Sequence, residues 1–152
     1  MTFVSYLDTP IGYLRILSNG RAITQIKFLD FEGPEDPDVH TESAKTQLKE
    51  YFEGIRHSFD LPLQPKGTEF ENRVWQLLNT INAGSTTTYG EIALKLGDKN
   101  YSQAVGSANG KNPIAIVVPC HRVIGADNKL VGYAGGLDRK EWLLKHEGAL
   151  LL

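Results

Sequence analysis

Sulfur is nearly absent from this sequence: its 152 residues include one cysteine, Cys120, and one methionine. A single cysteine excludes an internal disulfide, and with it a small cross-linked secreted scaffold, so a reducing cytoplasm is the expected compartment. It also excludes a zinc site built on several thiolates. The four histidines, His40, His57, His121 and His146, do not fall at zinc-ligand spacings, and no metal is expected. Long apolar runs are missing too. None approaches the roughly 20 residues of a membrane-crossing helix. The opening MTFVSYLDTP lacks the basic region and apolar core of a secretory leader. No membrane partner, repeat or low-complexity tract is expected.

Strong positive charge is also lacking. The net charge is -2, which by itself argues against nucleic acid. The imbalance is local, however. Residues 1–65 carry 6 Lys+Arg against 10 Asp+Glu, and residues 66–152 carry 10 against 8. A mildly basic second half permits a phosphate-facing surface there, and equally an ordinary solvated one. What is present, 41% hydrophobic and 22% charged residues, is the composition of a folded globular chain. The length suits one domain or two small ones.

Three segments, Phe3 to Leu7, Ile11 to Leu17 and Ala22 to Leu29, are rich in β-branched and aromatic residues and read as strands. Asp8-Thr9-Pro10 and the hairpin signal Asn19-Gly20 separate them. Residues 30–40 read as an exposed loop. Ala44, Leu48, Tyr51, Phe52 and Ile55 form a helical stripe ending near Gly54. Leu61 to Gly67 reads as a linker. The second half is mostly helical. Thr68 and Glu71 form a capping box before the apolar face Phe70, Val74, Leu77, Leu78 and Ile81. Thr88 and Glu91 form a second box, opening a helix to Leu96 that stops at Gly97. Another helix spans Ser102 to Asn109, and the two match a helix-turn-helix pattern. Pro113 to Pro119 is expected to be extended and buried. Asp138 and Glu141 form a third box, with Leu137 and Trp142 as a staple, for a helix to about His146 stopping at Gly148. The expected class is therefore α/β (α+β): a small N-terminal α/β domain with antiparallel strands over 1–65, and a mostly helical domain with a helix-turn-helix over 66–152.

The chemistry concentrates at Pro119-Cys120-His121-Arg122-Val123. A thiol reacts as the thiolate, which at neutral pH needs a nearby base or positive charge. In a strand, neighbouring side chains point to opposite faces, so His121 reaches the thiol only through a turn or a bridging water. A lone cysteine without context is more often an inert core residue.

The context is specific. Asn112-Pro113, Pro119 to Gly125, Gly132-Tyr133-Ala134-Gly135-Gly136-Leu137 and Lys140 to Gly148 together resemble the O6-alkylguanine-DNA alkyltransferase family. So do Phe70-x-x-x-Val74-Trp75, Thr88 to Ala93, and Ala104-Val105-Gly106. The likeness is close over about residues 68–148 and general before them. It implies DNA repair by irreversible, single-turnover transfer of a methyl or larger alkyl group from O6-alkylguanine, with O4-alkylthymine as a second substrate, to Cys120. His121 would deprotonate the thiol through a water, Glu147 would orient His121, Asn112 would support the loop, and Tyr89 would donate to the guanine ring nitrogen. Cys120, Val123, Gly132, Tyr133 and Ala134 would hold the base. The partner would be double-stranded DNA, its base everted through minor-groove contacts from Gln103, Ala104, Gly106, Ser107, Ala108, Lys111 and Arg122. No cofactor, no obligate protein partner and a monomer are implied.

Each residue has a plainer reading. Tyr89 packs with Ile92, Ala93 and Leu96. Small residues at Ala104, Gly106 and Ala108 permit close helix packing. Arg122 caps a nearby carboxylate. Glu147 is solvated, although a carboxylate at a helix C-terminus is disfavoured by about 0.3–1 kcal/mol and calls for a compensating partner, such as a His121 cation. Two positions depart from the family pattern. Gln103 stands where most members carry arginine, and Ala115 where some carry a second proline, which suggests room for larger alkyl groups. The other readings are a non-catalytic lesion-binding protein, a cysteine hydrolase, and a helix-turn-helix regulator with a structural cysteine.

Overall fold

The computed structural model describes residues 1–149. It is α+β, as expected, and its contacts divide it into two compact units: Met1–Lys66 with Pro113–Val117, and Gly67–Asn112 with the chain from Val118 on.

In the first unit, β1 (Phe3–Thr9), β2 (Gly12–Ser18) and β3 (Ile23–Leu29) form an antiparallel sheet in the order β1-β2-β3. Thr9 pairs with Gly12, so Pro10-Ile11 makes the first turn. At the second, the Asn19 side chain accepts from the backbone of Arg21 and Ala22, an Asx turn. Alternation puts Leu14 and Ile16 on one face, with Ile26 opposite Ile16, and an irregularity in the β2–β3 register at Leu17/Ser18 brings Ile23 onto the same face. They are buried, as are Ala44, Leu48 and Tyr51 of α1 (Val39–Phe52). The helix begins inside the expected 30–40 loop. Asp38 accepts from Thr41 N and the Thr41 side chain returns to the Asp38 backbone, a cap that overrides the Pro- and acid-rich composition. Ile55 lies past its end and is exposed. The free edge of β3 is covered by two stretches of chain. Ile23 N donates to Pro62 O at 2.8 Å and Gln64 N to Ile23 O at 2.8 Å, while Ile26 N donates to Pro113 O at 2.9 Å and Ala115 N to Ile26 O at 3.0 Å.

That second stretch corrects a sequence expectation. Ile114 and residues 116–119 are buried, with Pro113 and Ala115 half-buried, and the run is extended only where Ile114 bridges Ile26 before the chain bends. Val117 N bonds to Ala115 O at 2.8 Å across Ile116, whose φ is +72°. This is a γ-turn, an uncommon state for a β-branched residue. Apolar composition marked the segment as core, but bonding to β3 and the two prolines set its path.

The second unit holds α2 (Glu69–Leu78), the two-residue strand β4 (Thr87–Thr88), α3 (Tyr89–Lys95), α4 (Ser102–Gly110), β5 (Val123–Ile124) and α5 (Leu137–His146). The Thr68 capping box forms as expected. The second is half a box: Thr88 accepts from Glu91 N, but Glu91 accepts from the Thr87 hydroxyl at 3.1 Å instead of reaching back. The third is not made. Gly136, at φ +95°, is the N-cap of α5 with no side-chain bond, because the helix starts two residues earlier than the box would set it and puts Asp138 in its first turn. A short 3-10 turn, Lys99–Tyr101, joins α3 to α4. Trp75 of α2 is buried, and its indole N–H donates to Ala108 O on α4 at 2.9 Å. Among the described residues no helix is long and apolar enough to cross a membrane.

Trp75→Phe removes one of the two donors to that carbonyl, the other being Lys111 N at 3.2 Å. A loss of about 0.5–1.5 kcal/mol in urea unfolding is expected; an unchanged midpoint would show that the indole N–H contributes nothing net.

Candidate active site

Everything at the site belongs to the second unit. Pro119, at φ -83° and ψ 63°, makes a tight turn in which Cys120 N bonds to Val118 O at 2.8 Å. The chain then enters a 3-10 turn, Cys120–Arg122, before β5. Cys120 is therefore not the end of a strand, and His121 is presented through a turn. Cys120 and His121 are buried.

The turn delivers His121 and Arg122 to one carboxylate. His121 Nε2 lies 2.7 Å from Glu147 Oε2. Arg122 Nε donates to Glu147 Oε1 at 2.8 Å and its terminal nitrogen to Oε2 at 2.9 Å. Arg122 also donates to Ile81 O at 2.6 Å. Burial pushes the Glu147 carboxyl up, but the hydrogen bonds from His121 and Arg122 and their charges outweigh it and hold the group at about 2. Glu147 is thus an ionised pure acceptor, so the proton of the His121–Glu147 bond sits on Nε2. His121 itself is pushed down by burial, which exceeds the upward pull of Glu147, with Arg122 and Lys140 adding to the decrease. The imidazole is neutral, and the charge that balances the helix-end carboxylate is Arg122, not the His121 cation expected from sequence. Nδ1 is left bare, buried and without a partner among the described residues.

Cys120 carries the site's strongest restraint on reactivity. Burial raises its thiol to about 11, against a hydrogen bond from Asn112 and the charge of Lys140. Asn112 also donates to Val118 O at 2.8 Å, bracing the turn. Lys140 was not singled out in the sequence. It sits on α5, fully buried, and donates to the carbonyls of Val123 at 2.5 Å, Val131 at 2.8 Å and Gly132 at 3.1 Å. Burial lowers its pKa to about 8, with the Cys120 thiolate pulling upward. One cation thus pins β5 and the 131–132 loop. The Tyr89 hydroxyl donates to the same Val131 carbonyl at 3.1 Å; burial and Cys120 raise its pKa, while the Asn109 amide opposes them. Gly132 takes φ +60°, the left-handed state that glycine allows. The Tyr133 ring lies edge-on to His121 at 6.5 Å, its buried hydroxyl without a partner among the described residues. Ala134 is exposed.

The residues expected on the DNA face divide. Gln103, Ala104, Ser107 and Lys111 are exposed and Gly106 half-buried. Ala108 and Arg122 are not available to a phosphate. Ala108 is buried with its carbonyl on Trp75, and every Arg122 donor recorded goes to Glu147 or Ile81 O. The charge of Arg122 suggested a surface role; the buried Glu147 claimed it. Among the described residues no cluster of three or more His, Cys, Asp or Glu is placed to hold a metal ion.

Two outcomes follow from these charges. Glu147→Gln leaves Arg122 buried without a counter-ion and should cost about 3–5 kcal/mol in denaturant unfolding. In the unaltered chain, the depressed Glu147 pKa contributes stability above pH 4.5 that is lost as pH falls toward 2. The loss should be on the order of 3 kcal/mol by linkage, read as a falling urea midpoint across that window. Separately, a thiol near 11 should react with iodoacetamide about tenfold faster per pH unit from 7 to 10; a flat profile would mean the thiolate already predominates.

A family model described as "6-O-methylguanine DNA methyltransferase, DNA binding domain" matches residues 69–149, and one described as "6-O-methylguanine DNA methyltransferase, ribonuclease-like domain" matches residues 2–65. A Methanosarcina acetivorans protein named methylated-DNA--protein-cysteine methyltransferase is 46% identical over 154 residues, covering 97% of this chain and 99% of the relative. The protein of that name from Methanosarcina mazei is 54% identical over 149 residues, covering 93% and 94%. Among solved structures, Mycobacterium tuberculosis O6-methylguanine methyltransferase superposes with a TM-score of 0.88 at 44% identity, covering 98% of this chain and 94% of the other. The structure titled M. tuberculosis OGT in complex with DNA gives 0.85 at 46% identity, covering 95% and 92%. Both halves of the chain, and the turn carrying its one thiol, therefore fall within a single lineage: the chain belongs to the O6-methylguanine DNA methyltransferase family.

Proposed function

We propose that the chain repairs DNA by moving an alkyl group from O6 of guanine to Cys120, once per molecule. The observation that carries this reading is a neutral imidazole, its Nε2–H on an ionised carboxylate and its Nδ1 bare, one residue from the only thiol. A base at Nδ1 offsets the burial that holds the thiol near 11. The proton passes through a water from Sγ to Nδ1. The sulfur lone pair then forms a C–S bond to the alkyl carbon as the C–O6 bond breaks. That electron pair returns to the guanine, where Tyr89 donates to the ring nitrogen, turning its hydroxyl proton away from Val131 O. The product is a thioether. Cys120 is the chain's one thiol, so there is no second thiol to take the group on.

A thiol this deep does not meet a base inside a duplex. Extruding the nucleotide costs a few kcal/mol. In this reading α3 and α4 act as a helix-turn-helix, with Gln103, Ala104, Gly106, Ser107 and Lys111 at the minor groove. Backbone groups at Cys120, Val123, Gly132, Tyr133 and Ala134 hold the base, and the region 66–152 acts with 1–65 in support. The chain works as a cytoplasmic monomer without a cofactor.

Intact mass after incubation with duplex DNA containing O6-methylguanine tests this. A stoichiometric gain of one methyl group, abolished by Cys120→Ser, is expected. Binding without gain would replace this reading with lesion binding, and repeated turnover would replace it with a hydrolase.

A further inference from the structure

One polar atom at the site has no use in the transfer just described. Asn109, in the last turn of α4, is buried, and its Nδ2 donates to Cys120 O at 3.3 Å. The same amide lies beside the Tyr89 hydroxyl. Its Oδ1 is buried and has no donor among the described residues. The amide cannot simply be turned over, since that would set Oδ1 against the Cys120 carbonyl, acceptor on acceptor. Buried polar atoms are nearly always bonded. A bare acceptor on the side chain that holds the reacting residue calls for a donor that arrives with the substrate.

Base chemistry limits what that donor is. Alkylation at O6 removes the proton from N1, so the exocyclic 2-amino group carries the only N–H donors left on the guanine base. O4-alkylthymine has lost its N3 proton and has no amino group, and so offers no N–H at all. Resting on the transfer reading above, we propose that Asn109 is a specificity-determining residue whose Oδ1 accepts a hydrogen bond from the 2-amino group of the everted O6-alkylguanine, while its Nδ2 fixes the Cys120 carbonyl. Asn109 then favours guanine lesions over thymine lesions, because a base without the donor leaves the buried acceptor unpaired, a stronger penalty than a misfit in shape.

The test compares single-turnover transfer, read by intact mass, from duplexes carrying O6-methylguanine, O6-methylhypoxanthine (the same base without its 2-amino group) and O4-methylthymine. The unaltered chain should prefer methylguanine to methylhypoxanthine by at least about tenfold, and methylthymine should be slower still. Asn109→Leu, branched alike but without an acceptor, should bring the two purines within about threefold of each other. Asn109→Asp, which keeps the acceptor but loses the Nδ2 bond to Cys120 O, should be slower with both purines and retain the preference between them. Equal purine rates in the unaltered chain overturn the assignment. So does an Asn109→Leu chain that is slower with both purines by the same factor, which is what a purely structural role produces. Should Asn109→Leu fail to melt cooperatively, the unaltered chain and Asn109→Asp decide, and loss of the preference in the latter counts against the proposal. No methyl gain from any duplex by the unaltered chain overturns the transfer reading itself, and this assignment with it.

Discussion

An ionised carboxylate at the C-cap of the last helix is the constraint on which the site depends. Glu147 sits where the helix dipole disfavours negative charge and where burial disfavours any charge. It stays ionised because Arg122 grips both oxygens and His121 donates to one of them. The consequences run outward. Because Glu147 only accepts, His121 keeps its proton on Nε2 and shows a bare Nδ1. Because burial disfavours the cation and Arg122 supplies the balancing charge, His121 remains a neutral base. Because Arg122 also donates to Ile81 O, the segment after α2 is tied to the same cluster.

A second buried charge does comparable work for the loop beyond β5. Lys140 satisfies its donors with three backbone carbonyls, and among the described residues no carboxylate pairs with it. The arrangement keeps a positive charge near Cys120 without a counter-ion to cancel it, so its field opposes the burial that raises the thiol. Paired buried ions mostly neutralise each other's field; a cation held by dipoles retains it. The two charged groups thus act differently, one orienting the base and the other biasing the nucleophile.

The reactive turn is shaped from both sides. The stretch before it is bound to β3 in the first unit and bent at Ile116, and Asn112 and Pro119 turn the chain so that Cys120 opens a 3-10 turn. In a strand, Cys120 and His121 would face opposite ways. The turn removes that difficulty, and the prolines and Asn112 are the residues in the sequence that foreshadow it.

Period and cap signals in the sequence determined the three strands, the α2 capping box, the extents of α3 and α4 and the stop of α5, because these depend on neighbours within one turn or one strand. The motifs that mark the family were legible for the same reason: each is a short contiguous run, and they follow one another between Phe70 and Gly148. Where several competing local signals met, the reading failed, as at the α1 start under Asp38 and the α5 start under Gly136. What only the tertiary structure decided is pairing across distance. Nothing within a few residues of Arg122 says that it meets Glu147, of Lys140 that it meets three carbonyls, or of Asn109 that it meets Cys120. A buried charge or amide is defined by the partner that relieves its desolvation, and that partner is chosen by how helices pack, not by sequence spacing.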